Sequence, residues 1–262
     1  MSGLISRERI VDIAWVIGIF LAVCAVWEAT VKLLHLPLFI LPSIEEVVAD
    51  FLAIPKLYAF HAGFTIAATL AGFIVAIVIG VLMAVAVISS RILERIFLTL
   101  LALIHSVPKV ALAPLFVLWL GTGFEPKVAI AALMSILVIV VDLVGGMRSV
   151  DPEMINLARV SHASPLSILF KIRFPHALPH FFGAMKIAIS LSVIGAIVGE
   201  YVGGQRGLGY MILVAQGSFD TPRAFAAVLL LSIIATVLFY AVVFLEARLL
   251  PWHVSQRSVN PP

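Results

Sequence analysis

The sequence predicts an all-helical, polytopic membrane protein with six transmembrane helices, and three observations predict it. Hydrophobic residues make up 63% of the chain and charged residues only 12%, against roughly 45–50% and about 25% in a soluble domain. The apolar residues gather into runs that match the ~20 residues a helix needs to cross a bilayer. Lys and Arg punctuate the ends of those runs and do not mass on one polar face, so the net charge of +3 implies no nucleic-acid partner. Lipid is therefore the expected solvent for most of the 262 residues, and mean hydropathy is +1.18.

The first span covers about residues 11–34. Arg7 and Arg9 precede it as they would in a signal peptide, but the run continues past Cys24 through Val26 and Trp27. Val23 is a poor small residue for a cleavage site, so a retained anchor helix is expected. Cys24 is the single cysteine, which excludes an intramolecular disulfide. Pro37 and Pro42 then break the run. Ser43-Ile44-Glu45-Glu46 has the form of a capping box and predicts a short amphipathic helix through Leu52, lying at an interface.

The second span covers residues 62–88, where Gly63, Gly72 and Gly80 would allow close helix contacts. The third, residues 92–120, is interrupted by Pro108 and Pro114. Missing amides free carbonyls that must face protein or water, so this helix should line the interior. Gly121-Thr122-Gly123 turns the chain into the fourth span, residues 127–144. The fifth and sixth cover residues 178–202 and 223–249. Between them Gly203-Gly204-Gln205-Arg206-Gly207-Leu208-Gly209 predicts a flexible turn, and residues 210–219 are apolar but too short to cross, hence re-entrant or interfacial.

Residues 145–175 break the apolar pattern with Arg148, Asp151, Glu153, Arg159, His162, Lys171 and Arg173, yet keep Met154, Leu157, Ala158, Leu166, Leu169 and Phe170 at helical spacing. They read as two short polar-faced helices outside the bilayer. With the N-terminus inside, that side collects Arg7, Arg9, Arg91, Arg95, Arg148, Arg159, Lys171, Arg173, Lys186, Arg248 and Arg257, and the other side only Lys32, Lys56, Lys127, Arg206 and Arg223. The positive-inside rule then puts both termini and the polar loop in the cytoplasm. The expected organisation is an N-terminal helix with its interfacial helix (1–60), a core (61–250) with the polar helices at about 151–175, and a cytoplasmic tail (251–262).

In this loop Asn156-Leu157-Ala158, His162 after three intervening residues, and Ile172-Arg173-Phe174-Pro175 after nine more keep the spacing of the EAA motif: E-A-A, three residues, Gly, nine residues, I-x-L-P. The chain thus resembles the permease subunits of bacterial binding-protein-dependent ATP-binding-cassette importers. It departs at Asn156, where the motif has Glu, and at His162, where Gly would supply backbone freedom that His lacks. Pro108-Lys109-Val110-Ala111-Leu112-Ala113-Pro114-Leu115 with Trp119-Leu120-Gly121, Gly199-Glu200-Tyr201-Val202 with Gly207-Leu208-Gly209-Tyr210, and Pro251-Trp252 are similar to the nitrate, sulfonate and taurine branch of that family.

The resemblance implies a type I importer permease fold in the inner membrane, paired with a second copy, with two ATPase subunits carrying ATP and Mg, and with a periplasmic or lipid-anchored substrate-binding protein. It implies a small organic or inorganic anion as the solute. Glu153, Asn156, Leu157, Ala158, Arg159, His162, Ala163 and Ser164 would then couple to the ATPase. Ser106, Pro108, Lys109 and Glu200 would line the pathway, and Gly203, Gly207 and Gly209 would form a gate or turn.

Two readings stand for Lys109, attraction of an anionic solute or a structural role through Asp142 or snorkelling. Two also stand for Glu200, a gate or a pair with Arg206. His176 and His180 are four apart, but Pro179 separates them and no third ligand is near in sequence, so no metal site is expected. Neither G-x-x-x-x-G-K-S/T nor G-x-G-x-x-G occurs, so this chain should bind no ATP and carry no cofactor of its own. The alternatives are an ion-coupled secondary transporter, for which Asp142 and Glu200 are a meagre set of buried carboxylates, and an intramembrane enzyme, which would need a convergent catalytic set.

Overall fold

The computed structural model describes residues 7–251, apart from the side chains of several residues in the first and fourth helices. The expected C-terminal tail beyond Pro251 lies outside the described residues. Eleven helices follow in order among those described: α1 (Arg7–Leu33), α2 (Ile44–Ala53), α3 (Pro55–Ser89), α4 (Arg91–Ser106), α5 (Ala113–Leu120), α6 (Glu125–Arg148), α7 (Pro152–Val160), α8 (Pro165–Ile168), α9 (Phe174–Gly203), α10 (Leu208–Gly217) and α11 (Thr221–Leu249). A 3-10 turn at Lys109–Leu112 precedes α5, and a π turn at Leu169–Arg173 joins α8 to α9.

Four stretches among the described residues are long and apolar enough to cross a membrane: α3, α6, α11 and the run Pro165–Gly203 that ends in α9. The first expected span is α1, 27 residues long. The third expected span is divided. Pro108 bars helical backbone at Val107, so α4 ends at Ser106, and the chain regains α-helix only where Pro114 sits harmlessly in the first turn of α5. One expectation for the polar loop is corrected. Its second helix, α8, has four residues and runs through the π turn straight into α9, so it opens the fifth span.

The chain forms two compact units. One comprises Met1–Ala59 and Met211–Leu229. Here Ser43 caps α2 with the complete capping box, both Ser43 N–H and hydroxyl donating to Glu46 at 2.7 and 2.9 Å. Arg223 bridges Asp50 (3.1 Å) and Asp220 (2.9 Å), and the Tyr58 hydroxyl donates to the same Asp50 (2.5 Å). The Trp27 indole N–H reaches Pro42 O at 2.9 Å.

The other unit comprises Phe60–Tyr210 and Leu230–Pro262, and the pairing of α6 with α9 dominates it. These helices touch backbone to backbone: a Cβ at Gly195 would sit 2.6 Å from Ala131 Cα. Small residues at crossings replace the hydrophobic drive that lipid cannot supply. Ser135 and Ser192, both fully buried, lie 2.7 Å apart across that seam. On α3, Gly72 and Gly80 abut Ala131 and Ile139 of α6, whereas Gly63 meets open space. Lys186 of α9 and Glu246 of α11 form an ion pair at 2.9 Å.

Candidate functional site

Two constellations stand out, one exposed and one buried. The exposed one is the turn formed by α7 and α8. Asp151 caps α7 by accepting from Glu153 N–H (2.8 Å), and Pro152 fills the first helical position, where no N–H is needed. At the far end His162 adopts φ +56°, the left-handed conformation a glycine favours. His162 N–H donates to Arg159 O (3.0 Å) and Ala163 N–H to Ala158 O (2.9 Å), the paired bonds of a Schellman cap. The turn geometry that glycine would serve is thus retained with histidine in its place. Ser164 then caps α8 through Ser167 N–H at 3.2 Å.

The faces of α7 divide sharply. Ile155 is buried with Val150 and Ile168, and Ala158, Ala163 and Ile172 pack against them. Ala158 and Ala163 therefore brace the turn from within. Met154, Leu157 and Val160 are 53%, 69% and 78% exposed, at the spacing of one helical face. Glu153, Asn156, Arg159, His162 and Ser164 are exposed around that stripe.

The buried constellation surrounds the turn after α9. Glu200 has no exposed surface. Its Oε1 accepts from the Thr65 hydroxyl (2.8 Å) and its Oε2 from Gly209 N–H (2.7 Å), so the carboxyl group satisfies an otherwise unpaired donor in the first turn of α10. Thr65 accepts from Leu208 N–H (2.9 Å), and His61 Nδ1 from Gly207 N–H (3.0 Å). Three successive amides are thereby held by three side chains. Gly207 has φ +106°, and a Cβ there would collide with the Glu200 carboxyl group. Lys127, 1% exposed, donates to Thr122 O (2.7 Å) and Gly203 O (2.9 Å).

This geometry changes two expectations. The glycine-rich turn is pinned, not flexible, with Gly203, Gly207 and Gly209 each part of the pin. Glu200 does not pair with Arg206, whose guanidinium lies over the Phe60 ring at 5.7 Å. His61, Thr65 and Lys127 were not singled out from sequence, although His61, Thr65 and Thr69 form a polar stripe of period four on an apolar helix. Of the other residues expected to line a pathway, Pro108 opens the 3-10 turn, Lys109 is half-buried on it, and the Ser106 side chain lies outside the described residues. No bond between Lys109 and Asp142 is found among the described residues. A cavity of about 280 Å³ opens beside Lys127, walled by Phe64, Phe124, Gln205 and Arg206.

Residues 76–251 match the family described as the binding-protein-dependent transport system inner membrane component. The chain belongs to this family. The riboflavin transport system permease protein RibX of Chloroflexus aurantiacus is 38% identical over 87% of this chain and 86% of its own. The formylaminopyrimidine transport permease protein ThiX of Halalkalibacterium halodurans is 32% identical over 90% and 95%. Among solved structures, the inward-facing MetNI methionine ABC transporter shares the fold, with TM-score 0.63 and 20% identity over 74% of this chain and 96% of that one. The protein is thus an importer permease subunit of type I fold, a multi-pass inner-membrane protein and not an enzyme, and these matches do not favour an ion-coupled secondary transporter.

Proposed function

We propose that this permease works as one of two copies around a single pathway, driven by two ATPase subunits that hold ATP and Mg and dock on the α7–α8 turn. Both termini face the cytoplasm in this reading, which the distribution of Lys and Arg supports. A substrate-binding protein, periplasmic or lipid-anchored, hands solute to the opposite face. The observation that carries the proposal is the exposed stripe Met154, Leu157 and Val160 on a helix capped at both ends. Apolar side chains on a rigid lever outside the membrane suit docking into a groove, and a second bundle supplies what the first rocks against.

The test is Leu157→Glu. Its side chain makes no contribution to the buried cluster, so the purified bundle should melt as wild type while the ATPase no longer co-purifies. Wild-type recovery of the ATPase would overturn the docking assignment. Light scattering of the intact complex should give two permeases per two ATPases.

The solute in this reading is a small molecule, and in the narrower form a small organic or inorganic anion. Lys109 on the interrupted helix and Arg206 beside the 280 Å³ cavity support the charge. A neutral heteroaromatic solute is the second reading, favoured by the Phe64 and Phe124 rings, edge to face at 5.5 Å in the same cavity wall, and by relatives that transport riboflavin and formylaminopyrimidine. Extracting the solute from the co-purified binding protein and measuring its ATP-driven uptake into proteoliposomes decides between them.

A further inference from the structure

A groove of about 340 Å³ lies between the α7–α8 turn and the end of α3, sharing Arg159 and Ala163 with the turn but set apart from the exposed stripe Met154, Leu157 and Val160. Its walls carry two guanidinium groups, Arg159 and Arg173, beside Ser89 and the apolar side chains of Ile88, Leu166 and Leu169. Neither arginine forms an ion pair among the described residues. Ser89 is the last residue of α3, so the groove sits at one end of a 35-residue apolar helix. Arg173 closes the π turn Leu169–Arg173, a costly local unwinding of the helix that is concentrated at functional sites.

We propose that this groove binds the headgroup of one anionic phospholipid from the leaflet that α7 faces. The phosphate sits between the two guanidinium groups, whose planar forks suit a phosphate's oxygens, and the acyl chains follow Ile88 and the apolar surface of α3. Charge complementarity and the adjoining apolar strip favour this occupant. Two cations at an interface attract an anionic headgroup, and an apolar strip beside them suits a lipid better than a free ion. A bound lipid would brace the turn that carries the ATPase contact. The assignment to the cytoplasmic leaflet rests on the orientation proposed above.

The complete complex, purified and reconstituted in nanodiscs containing equal phosphatidylglycerol and phosphatidylcholine, is delipidated mildly, and retained phosphatidylglycerol is counted by mass spectrometry. Arg173→Gln should lower retention about fivefold, and the double variant with Arg159→Gln further. Lys171→Gln, which removes an exposed cation outside the groove, should change nothing. An equal loss with Lys171→Gln would overturn the site in favour of diffuse charge. Displacement of the lipid by millimolar inorganic phosphate would replace it with a free-phosphate site. Loss of the ATPase from Arg173→Gln with lipid retention unchanged would make the groove part of the protein docking surface. Sidedness is read separately, by labelling Ser164→Cys in a Cys24→Ala background. Labelling from outside would overturn the orientation while leaving the lipid count to stand on its own.

Discussion

The α7–α8 turn and the polar hub at Glu200 both hold a short helix in place, and they do so by opposite means. The turn relies on local bonds, each joining residues no more than five apart, and leaves an apolar stripe exposed. The hub relies on side chains from distant parts of the sequence and leaves nothing exposed: Thr65 and Glu200 are 135 residues apart, His61 and Gly207 146. A surface proposed to dock a partner loses less entropy on binding if it is ordered beforehand, and caps achieve that without burying the face. The buried amides of Gly207, Leu208 and Gly209 have no water to satisfy them, so each must find a side chain. The hub should therefore govern stability, and the turn should govern assembly.

The largest effect is expected from Glu200→Ala. It strands the Gly209 amide in a buried site and leaves a cavity beside it, whereas the Thr65 hydroxyl keeps His61 O at 3.2 Å. The unmet amide and the cavity together cost about 3 kcal/mol, read as a marked fall in the unfolding midpoint in detergent. A variant that melts like wild type would show that water enters the hub and that the contrast between the two regions is false. Gly207→Ala comes next. Its positive φ and the collision with the Glu200 carboxyl group predict a loss of about 2 kcal/mol by the same measurement.

A third substitution reverses the sign. The Thr69 hydroxyl is fully buried and lacks a hydrogen-bond partner among the described atoms. Thr69→Val keeps its shape and removes the unmet group, so the midpoint should rise by the equivalent of about 1 kcal/mol. If it falls, the stripe His61, Thr65 and Thr69 works as a unit and the hub extends deeper than its bonds show.

Much of the local structure was legible in the sequence because its causes are local. Ser43 and Glu46 announced α2, Pro108 and Pro114 announced the break between α4 and α5, and the motif spacing announced the turn that ends at His162. What was hidden had distant causes. The second span begins at Pro55, seven residues before the expected start at 62: the polar residues Lys56, Tyr58 and His61 hid its first turns, and the Tyr58 hydroxyl finds its partner in Asp50 of another helix. Glu200 read as a gate or as a partner of nearby Arg206, since sequence distance was the only distance available. Its true partner on α3 lay beyond that horizon. The fifth span began early for another reason: Pro175 and Pro179 look like breakers, but Pro175 lies in the first turn of α9, where no N–H is needed, and Pro179 is accommodated inside that helix.

The smallest effect is expected where sequence and geometry are most at odds. His162 holds a left-handed conformation that costs an L-residue about 1 kcal/mol. Glycine would relieve that cost but adds freedom to the unfolded chain, which returns about half of it. His162→Gly should therefore firm the turn by only about 0.5 kcal/mol, or roughly a twofold rise in hydrogen-exchange protection at the Ser161 to Ala163 amides. Global melting should not change, because the turn adds little to the buried core. If protection falls instead, the His162 side chain contributes to the turn beyond its backbone, and histidine at the glycine position is a working part of this surface. If protection rises and ATPase binding is unaltered, backbone conformation is all that the position supplies.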